Sequence, residues 1–266
     1  YKFMNKSCLV YKRKRHNAAM KNQFPIVGIV GAGAMGRGIA QIAAQAGSRV
    51  LLLDMQPDAA ASARGSIQTQ WQRLQDKGRI SDEQAQGWGN LLEPVATIAD
   101  LASCDLVIEA IVERLDAKQA LFAQLEAVVG PHAVLATNTS SLAVTAIGAT
   151  LRRPERLAGF HFFNPVPLMK VVEVIAGLKT APAVCESLSH YARQMGHTPV
   201  QAQDTPGFIV NHAGRGFGTE ALRIVGEGVA DFATIDRILR DQVGFKLGPF
   251  ELMDLTALDV SHPVME

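Results

Sequence analysis

The sequence predicts an α/β fold, a doubly wound and mostly parallel sheet followed by an all-α part. Three observations lead there. Short apolar runs without polar alternation recur between segments of helical periodicity, as strands covered on both faces require. A glycine turn joins the first of these runs to the first helix. Past Asp204-Thr205-Pro206-Gly207 the strand signals stop and only helical periodicity continues.

The first apolar run is Ile26-Val27-Gly28-Ile29-Val30, and the first helix covers 34–46, stopped by Gly47. A second buried strand covers 50–53, after which Pro57 fits the first turn of a long helix running to about Lys77. Ser81-Asp82-Glu83-Gln84 has the spacing of a capping box and opens a short helix. Strands follow at 94–97 and 105–108. Leu121, Phe122, Leu125, Val128 and Val129 mark one face of the next helix, which Gly130-Pro131 ends before a strand at 133–137. Strands at 157–163, 170–175 and 199–202 come next, with a helix over 182–194 before the last of them. Helices over 208–225, 234–243 and from Gly248 onward complete the chain. The division is a leader over 1–23, an α/β domain over 24–205 and a helical part over 206–266.

Composition narrows the function. With 48% hydrophobic and 19% charged residues the chain is ordinary for a globular protein. No apolar run reaches the roughly 18 residues of a membrane span. Cys8, Cys104 and Cys185 are odd in number and lack metal-ligand spacing, which suits a reducing cytoplasm and no metal centre. The net charge of +1 conceals an asymmetry, because residues 1–25 carry seven Lys and Arg and no acid, leaving 19 basic against 25 acidic residues. An acidic body without a basic stripe argues against a nucleic-acid partner. The leader lacks the apolar core of a secretory signal and reads as disordered, with Met4 and Met20 as alternative starts.

Gly31-Ala32-Gly33-Ala34-Met35-Gly36 has the spacing G-x-G-x-x-G, between an expected strand and an expected helix. Gly31 permits the tight turn, Gly33 lets backbone approach a pyrophosphate, and Gly36 allows close helix–strand packing. The helix start then offers free N–H groups to phosphate. Asp54 closes the second strand, where a carboxylate accepts from ribose hydroxyls and repels a 2′-phosphate. That combination selects NAD over NADP. A helix-capping aspartate before Pro57 is the plainer alternative.

The reactive residues gather in His161-Phe162-Phe163-Asn164-Pro165-Val166-Pro167-Leu168-Met169-Lys170-Val171-Val172-Glu173. Glu173 sits within an apolar strand, where a carboxylate is costly unless paired. His161 lies on the preceding strand across a Pro-rich loop, so the two side chains can meet as a proton-transfer pair. The alternative is a structural histidine beside an edge-strand glutamate that faces water.

With Asn138-Thr139-Ser140-Ser141-Leu142, Asp105-Leu106-Val107-Ile108-Glu109-Ala110, Asp204 to Asn211 and Gly248-Pro249-Phe250-Glu251-Leu252, this stretch resembles the 3-hydroxyacyl-CoA dehydrogenase family. The resemblance runs from about Ile26 to Pro263 and is nearest to bacterial 3-hydroxybutyryl-CoA and 3-hydroxyadipyl-CoA enzymes. It implies a Rossmann-type NAD domain followed by a helical domain that continues past the end of this chain. It also implies a homodimeric full-length enzyme that oxidises a (3S)-3-hydroxyacyl-CoA in fatty-acid β-oxidation or phenylacetate catabolism. His161 matches the general base and Glu173 its partner. Ser140 and Asn211 match residues that hold the reacting oxygen. Asn164 matches a residue near the nicotinamide, Glu113 and Lys118 match cofactor contacts, and Lys77 falls where a basic residue meets CoA.

Each of these has a plain structural alternative: a helix cap for Ser140 and Asn211, solvated surface for Glu113, Lys118 and Lys77. The chain departs from the family at His212, at Gln70, and at Gly214, Gly216 and Gly218 within an expected helix. Two rival functions follow from the fold. A β-hydroxyacid dehydrogenase would need a catalytic lysine motif that is missing here, and a crystallin-like relative would keep NAD without turnover.

Overall fold

A computed structural model describes residues 22–256, so all but the last two residues of the leader lie outside it. The α/β part opens with β1 (Ile26–Val30), α1 (Ala34–Gln45), β2 (Arg49–Leu53), α2 (Ala59–Asp76), α3 (Asp82–Asn90) and β3 (Leu92–Val95). It continues through β4 (Leu106–Glu109), α4 (Leu115–Val128), β5 (Val134–Thr137) and the single turn α5 (Val144–Ile147). It closes with β6 (Leu157–Phe162), β7 (Val171–Ala176), α6 (Pro182–Gln194) and β8 (Thr198–Gln203). Helices α7 (Val210–Gly226), α8 (Phe232–Ile238) and α9 (Pro249–Thr256) follow.

The eight strands form one sheet in the order β3-β2-β1-β4-β5-β6-β7-β8. Every pair is parallel except β6 with β7, where the chain returns directly and sets His161 opposite Glu173. Alternate residues leave the sheet on opposite faces. Val27, Ile29, Leu52, Phe160 and Phe162 join one buried cluster together with side chains of α1, α2 and α6. Val30, Leu51, Leu53, Leu135 and Ile175 join a second cluster together with side chains of α4 and α5. Coverage on both faces explains why these strands read as unbroken apolar runs.

Several boundaries shift, each for a local reason. Pro57 lies in the turn before α2 rather than in its first turn, because Asp58 takes a left-handed conformation (φ 63°) and helix begins at Ala59. β3 starts earlier than expected, at Leu92, and tolerates Pro94 because it is an edge strand. The last expected turns of α8 widen into a π-helical segment at Leu239–Val243, which Gly244 ends at φ 85°. The Ser81 capping box forms as expected.

Cys104 and Cys185 are free and buried. No helix among the described residues is long and apolar enough to cross a membrane. The three glycines of α7 do not break it. An added Cβ at Gly214 or Gly216 would meet nothing within 4 Å, whereas at Gly218 it would approach Met253 Cε at 2.9 Å. Gly216→Ala therefore stabilises the helical part by roughly 0.5–1 kcal/mol through helix propensity, read as a higher denaturation midpoint. A lower midpoint would show that this position needs glycine.

Candidate active site

The glycine turn follows from contacts no side chain could make. A Cβ on Gly31 (φ 103°) would fall 2.4 Å from the Ala110 carbonyl oxygen, and one on Gly36 only 1.8 Å from that of Gly31. At Gly33 a Cβ would meet nothing within 4 Å, so the turn stays open on that side. No side chain caps α1 and its first turn carries no acid, which leaves its N–H groups for an anion. Gly31 N–H donates to the Leu53 carbonyl at 2.8 Å, drawing the end of β2 against the turn. Asp54 then accepts from the Ala32 amide at 2.6 Å and the Gln56 amide at 2.8 Å. It caps the turn rather than α2, and each oxygen keeps a lone pair for a ribose hydroxyl. Met35 is half-buried on α1 against the core. This local chemistry fits a dinucleotide.

His161 and Glu173 meet across β6 and β7. Nδ1 of His161 lies 2.7 Å from Glu173 Oε2, with the residues 5% and 0% exposed. Glu173 Oε1 accepts from the Ile209 and Val210 amides, both at 2.9 Å, at the start of α7. Burial pushes the Glu173 carboxyl up, but hydrogen bonds from His161, Val210 and Ile209 outweigh it and hold the group below the ordinary glutamate range. An ionised carboxylate only accepts, so Nδ1 carries a proton, and in the neutral ring that tautomer leaves the lone pair on Nε2. The rings of Phe163 and Phe208 flank the imidazole at 4.6 and 5.7 Å.

Phe208 lies at φ 51°, a left-handed conformation that costs a non-glycine residue about 1–2 kcal/mol. Two amide bonds to a buried carboxylate, about 1.5–3 kcal/mol each, offset that strain.

Hydrogen bonds bring Ser140, Asn211, Glu113 and Lys118 together. Asn211 Nδ2 donates to the Ser140 carbonyl at 3.3 Å, and Asn138 Oδ1 accepts from the Phe162 amide beside His161 at 2.9 Å. Glu113 Oε1 accepts from the Ser140 amide at 2.8 Å, the Ser141 amide at 3.1 Å and Thr139 Oγ1 at 2.6 Å. Burial raises the Glu113 carboxyl, but Lys118, Thr139 and the Ser140 amide prevail and leave it lowered. Lys118 is 1% exposed, its ammonium 2.5 Å from Glu109 and 3.1 Å from Glu113, so it is not a solvated surface residue; Glu113 stays exposed but is held by these partners. Asn164 is exposed on the loop after β6, at a cis bond to Pro165. Lys77 is exposed at the C-cap of α2 and hydrogen-bonds to none of these residues. His212 faces solvent, with Nδ1 3.3 Å from the Pro206 carbonyl oxygen.

Sequence reasoning assigned no role to Glu109, Asn138 or Asp204. Asp204 accepts from the Val144 and Thr145 amides and from Thr145 Oγ1. The signal for Glu109 was present: like Asp54, it is an acidic residue closing an apolar strand.

An open glycine turn, an aspartate at the end of β2 and a helical part joined to the sheet define a two-domain dinucleotide-binding protein of Rossmann type. The chain belongs to the 3-hydroxyacyl-CoA dehydrogenase family: residues 26–205 match its NAD binding domain and residues 207–266 its C-terminal domain. It is 46% identical over 238 residues to 3-hydroxyadipyl-CoA dehydrogenase of Escherichia coli K12, covering 90% of this chain and 50% of that protein. It is 39% identical to a probable 3-hydroxybutyryl-CoA dehydrogenase of Deinococcus radiodurans, over 90% of this chain and 86% of the relative. The crystal structure of (S)-3-hydroxybutyryl-CoA dehydrogenase from Ralstonia eutropha superposes with a TM-score of 0.88 at 34% identity, covering 91% of this chain and 86% of that one. The chain thus spans half the length of the first relative and most of the others. NAD is the cofactor of the matched domain.

Two outcomes follow. Asp54→Ala weakens NADH binding and narrows the preference for NADH over NADPH, as measured by fluorescence titration with each; an unchanged ratio would place cofactor selection elsewhere. Glu113 and Glu173 have lowered folded values, so their stabilisation is complete above the unfolded glutamate value of about 4.3 and is lost as pH falls through those lower values. Glu173→Gln therefore flattens the acid limb of a stability–pH curve, and an unchanged limb would remove Glu173 from that balance.

Proposed function

We propose that this protein oxidises (3S)-3-hydroxyacyl-CoA to 3-ketoacyl-CoA with NAD, reversibly, in fatty-acid or phenylacetate catabolism. The observation that carries the reading is the buried pair of His161 Nδ1 and Glu173 Oε2 at 2.7 Å. Bound NAD supplies the hydride acceptor. The protein's own groups handle the proton and the oxygen. Nε2 of His161 takes the proton of the substrate's C3 hydroxyl, and Glu173, already ionised, stabilises the resulting imidazolium. Ser140 and Asn211 hold the oxygen as it becomes a carbonyl, their backbone and side chain already joined at 3.3 Å.

Gly31, Gly33, Met35, Gly36, Asp54, Glu113, Lys118 and Asn164 form the cofactor side, and Lys77 reaches toward CoA. The CoA thioesters in the relatives' names support that substrate class. Exposed Phe232, Ile238 and Val243 support pairing of the helical part, residues 206–266, with a second copy.

The pair is tested as a unit with acetoacetyl-CoA and NADH, following absorbance at 340 nm. His161→Gln lowers kcat by roughly 10²–10⁴-fold, the usual worth of a general base, with little change in NADH affinity. Glu173→Gln is also slow, and the double variant loses much less than the product of the two losses. Multiplying losses would mean two independent residues. NADH binding without turnover in the unmodified chain would favour the non-catalytic relative.

A further inference from the structure

Beneath the site lies a buried group that the proposed chemistry does not use. Glu109 closes β4 and is 0% exposed. Its Oε1 accepts from the Lys118 ammonium at 2.5 Å and from the Ile111 amide at 2.8 Å. Its Oε2 accepts from Thr137 Oγ1 at 2.7 Å, and Thr137 Oγ1 in turn accepts from the Thr139 amide at 3.2 Å. Three donors converge on one carboxylate, and they come from two separate segments. Ile111 and Lys118 bracket Glu113; Thr137 and Thr139 lead into Ser140.

Glu113 and Ser140 meet just above, where the Glu113 carboxylate accepts the Ser140 and Ser141 amides. The contact depends on both segments being held in register. Lys118 adds a second hold, because its ammonium also reaches Glu113 at 3.1 Å. The cluster places two carboxylates against one lysine. A buried, unbalanced negative charge is costly unless every lone pair is used. Glu109 gathers three donors, two on Oε1 and one on Oε2, and an amide in its place would lose the charge that holds Lys118 and one of the two accepting oxygens.

We infer that Glu109 is a positioning residue: it locks the Glu113 segment and the Thr137–Ser140 segment together and thereby fixes Ser140 for the reacting oxygen. The effect on catalysis rests on the function proposed above; the effect on the Ser140 loop does not.

The test uses the full chain with Glu109→Gln and reads hydrogen exchange by mass spectrometry together with turnover of acetoacetyl-CoA. Exchange over 110–114 and 138–142 rises about tenfold, the scale of one lost charge-assisted hydrogen bond, while β8 and α6 stay at the unmodified rate. Turnover falls about tenfold in kcat with a smaller change in KM, and Ser140→Ala costs less in the Glu109→Gln background than alone. Unchanged local exchange overturns the inference. Exchange rising equally across the sheet also overturns it, since that marks a general packing role. Equal Ser140→Ala losses in both backgrounds overturn the catalytic link. If Glu109→Gln does not fold, Thr137→Val removes the hydroxyl between Glu109 and the Thr139 amide; faster exchange over 138–142 alone supports the lock, and no change overturns it. Absent turnover in the unmodified chain refutes the proposed function, and the exchange result still decides the role of Glu109.

Discussion

The Glu173 carboxylate is the constraint on which the rest of the site depends. One oxygen receives His161 and the other receives the first amides of α7. A single ionised group therefore sets the imidazole tautomer and fixes where the helical part joins the sheet. Its burial gives the arrangement its rigidity. A desolvated charge has few alternative partners, so any displacement of β7, β6 or α7 would leave it partly unpaired. The left-handed Phe208 is the local cost of turning the chain so that two consecutive amides reach one oxygen.

The same device recurs along the C-terminal ends of the strands. Asp54 after β2 holds the glycine turn, Glu109 at the end of β4 joins two loops, and Asp204 after β8 holds the start of α5. In each case a carboxylate gathers backbone amides that the end of a strand or the start of a helix leaves without partners. Strand β8 runs the opposite way to β2 and β4 and sets Asp204 at the other edge, whereas β2 and β4 run parallel, so Asp54 and Glu109 lie at the edge where a ligand binds in this class of fold. The loops at that edge are thus held by charge-assisted bonds rather than by apolar packing. Polar loops can then line a cleft without collapsing into the core.

Much of this was legible in the sequence. Unbroken apolar strands, the glycine spacing and Asp54 identify the sheet and the dinucleotide turn, because each reflects a local demand of backbone geometry. The pairing of His161 with Glu173 was legible as a possibility, since a charged residue within an apolar strand needs a partner. Glu113 and Lys118 were legible only through family resemblance; by pattern alone they look like surface residues near a helix start.

What the sequence determined by itself is therefore the set of elements, their order and the glycine spacing of the first turn, which local periodicity and the needs of a left-handed Gly31 make legible. Only the tertiary structure decided that His161 faces Glu173 in register, that Glu173 also receives Ile209 and Val210, and that Lys118 lies buried between Glu109 and Glu113. Those contacts join strands and helices separated along the chain by up to dozens of residues. They arise because desolvation forces each buried charge onto whichever donors the fold brings within reach, and local periodicity carries no record of that choice.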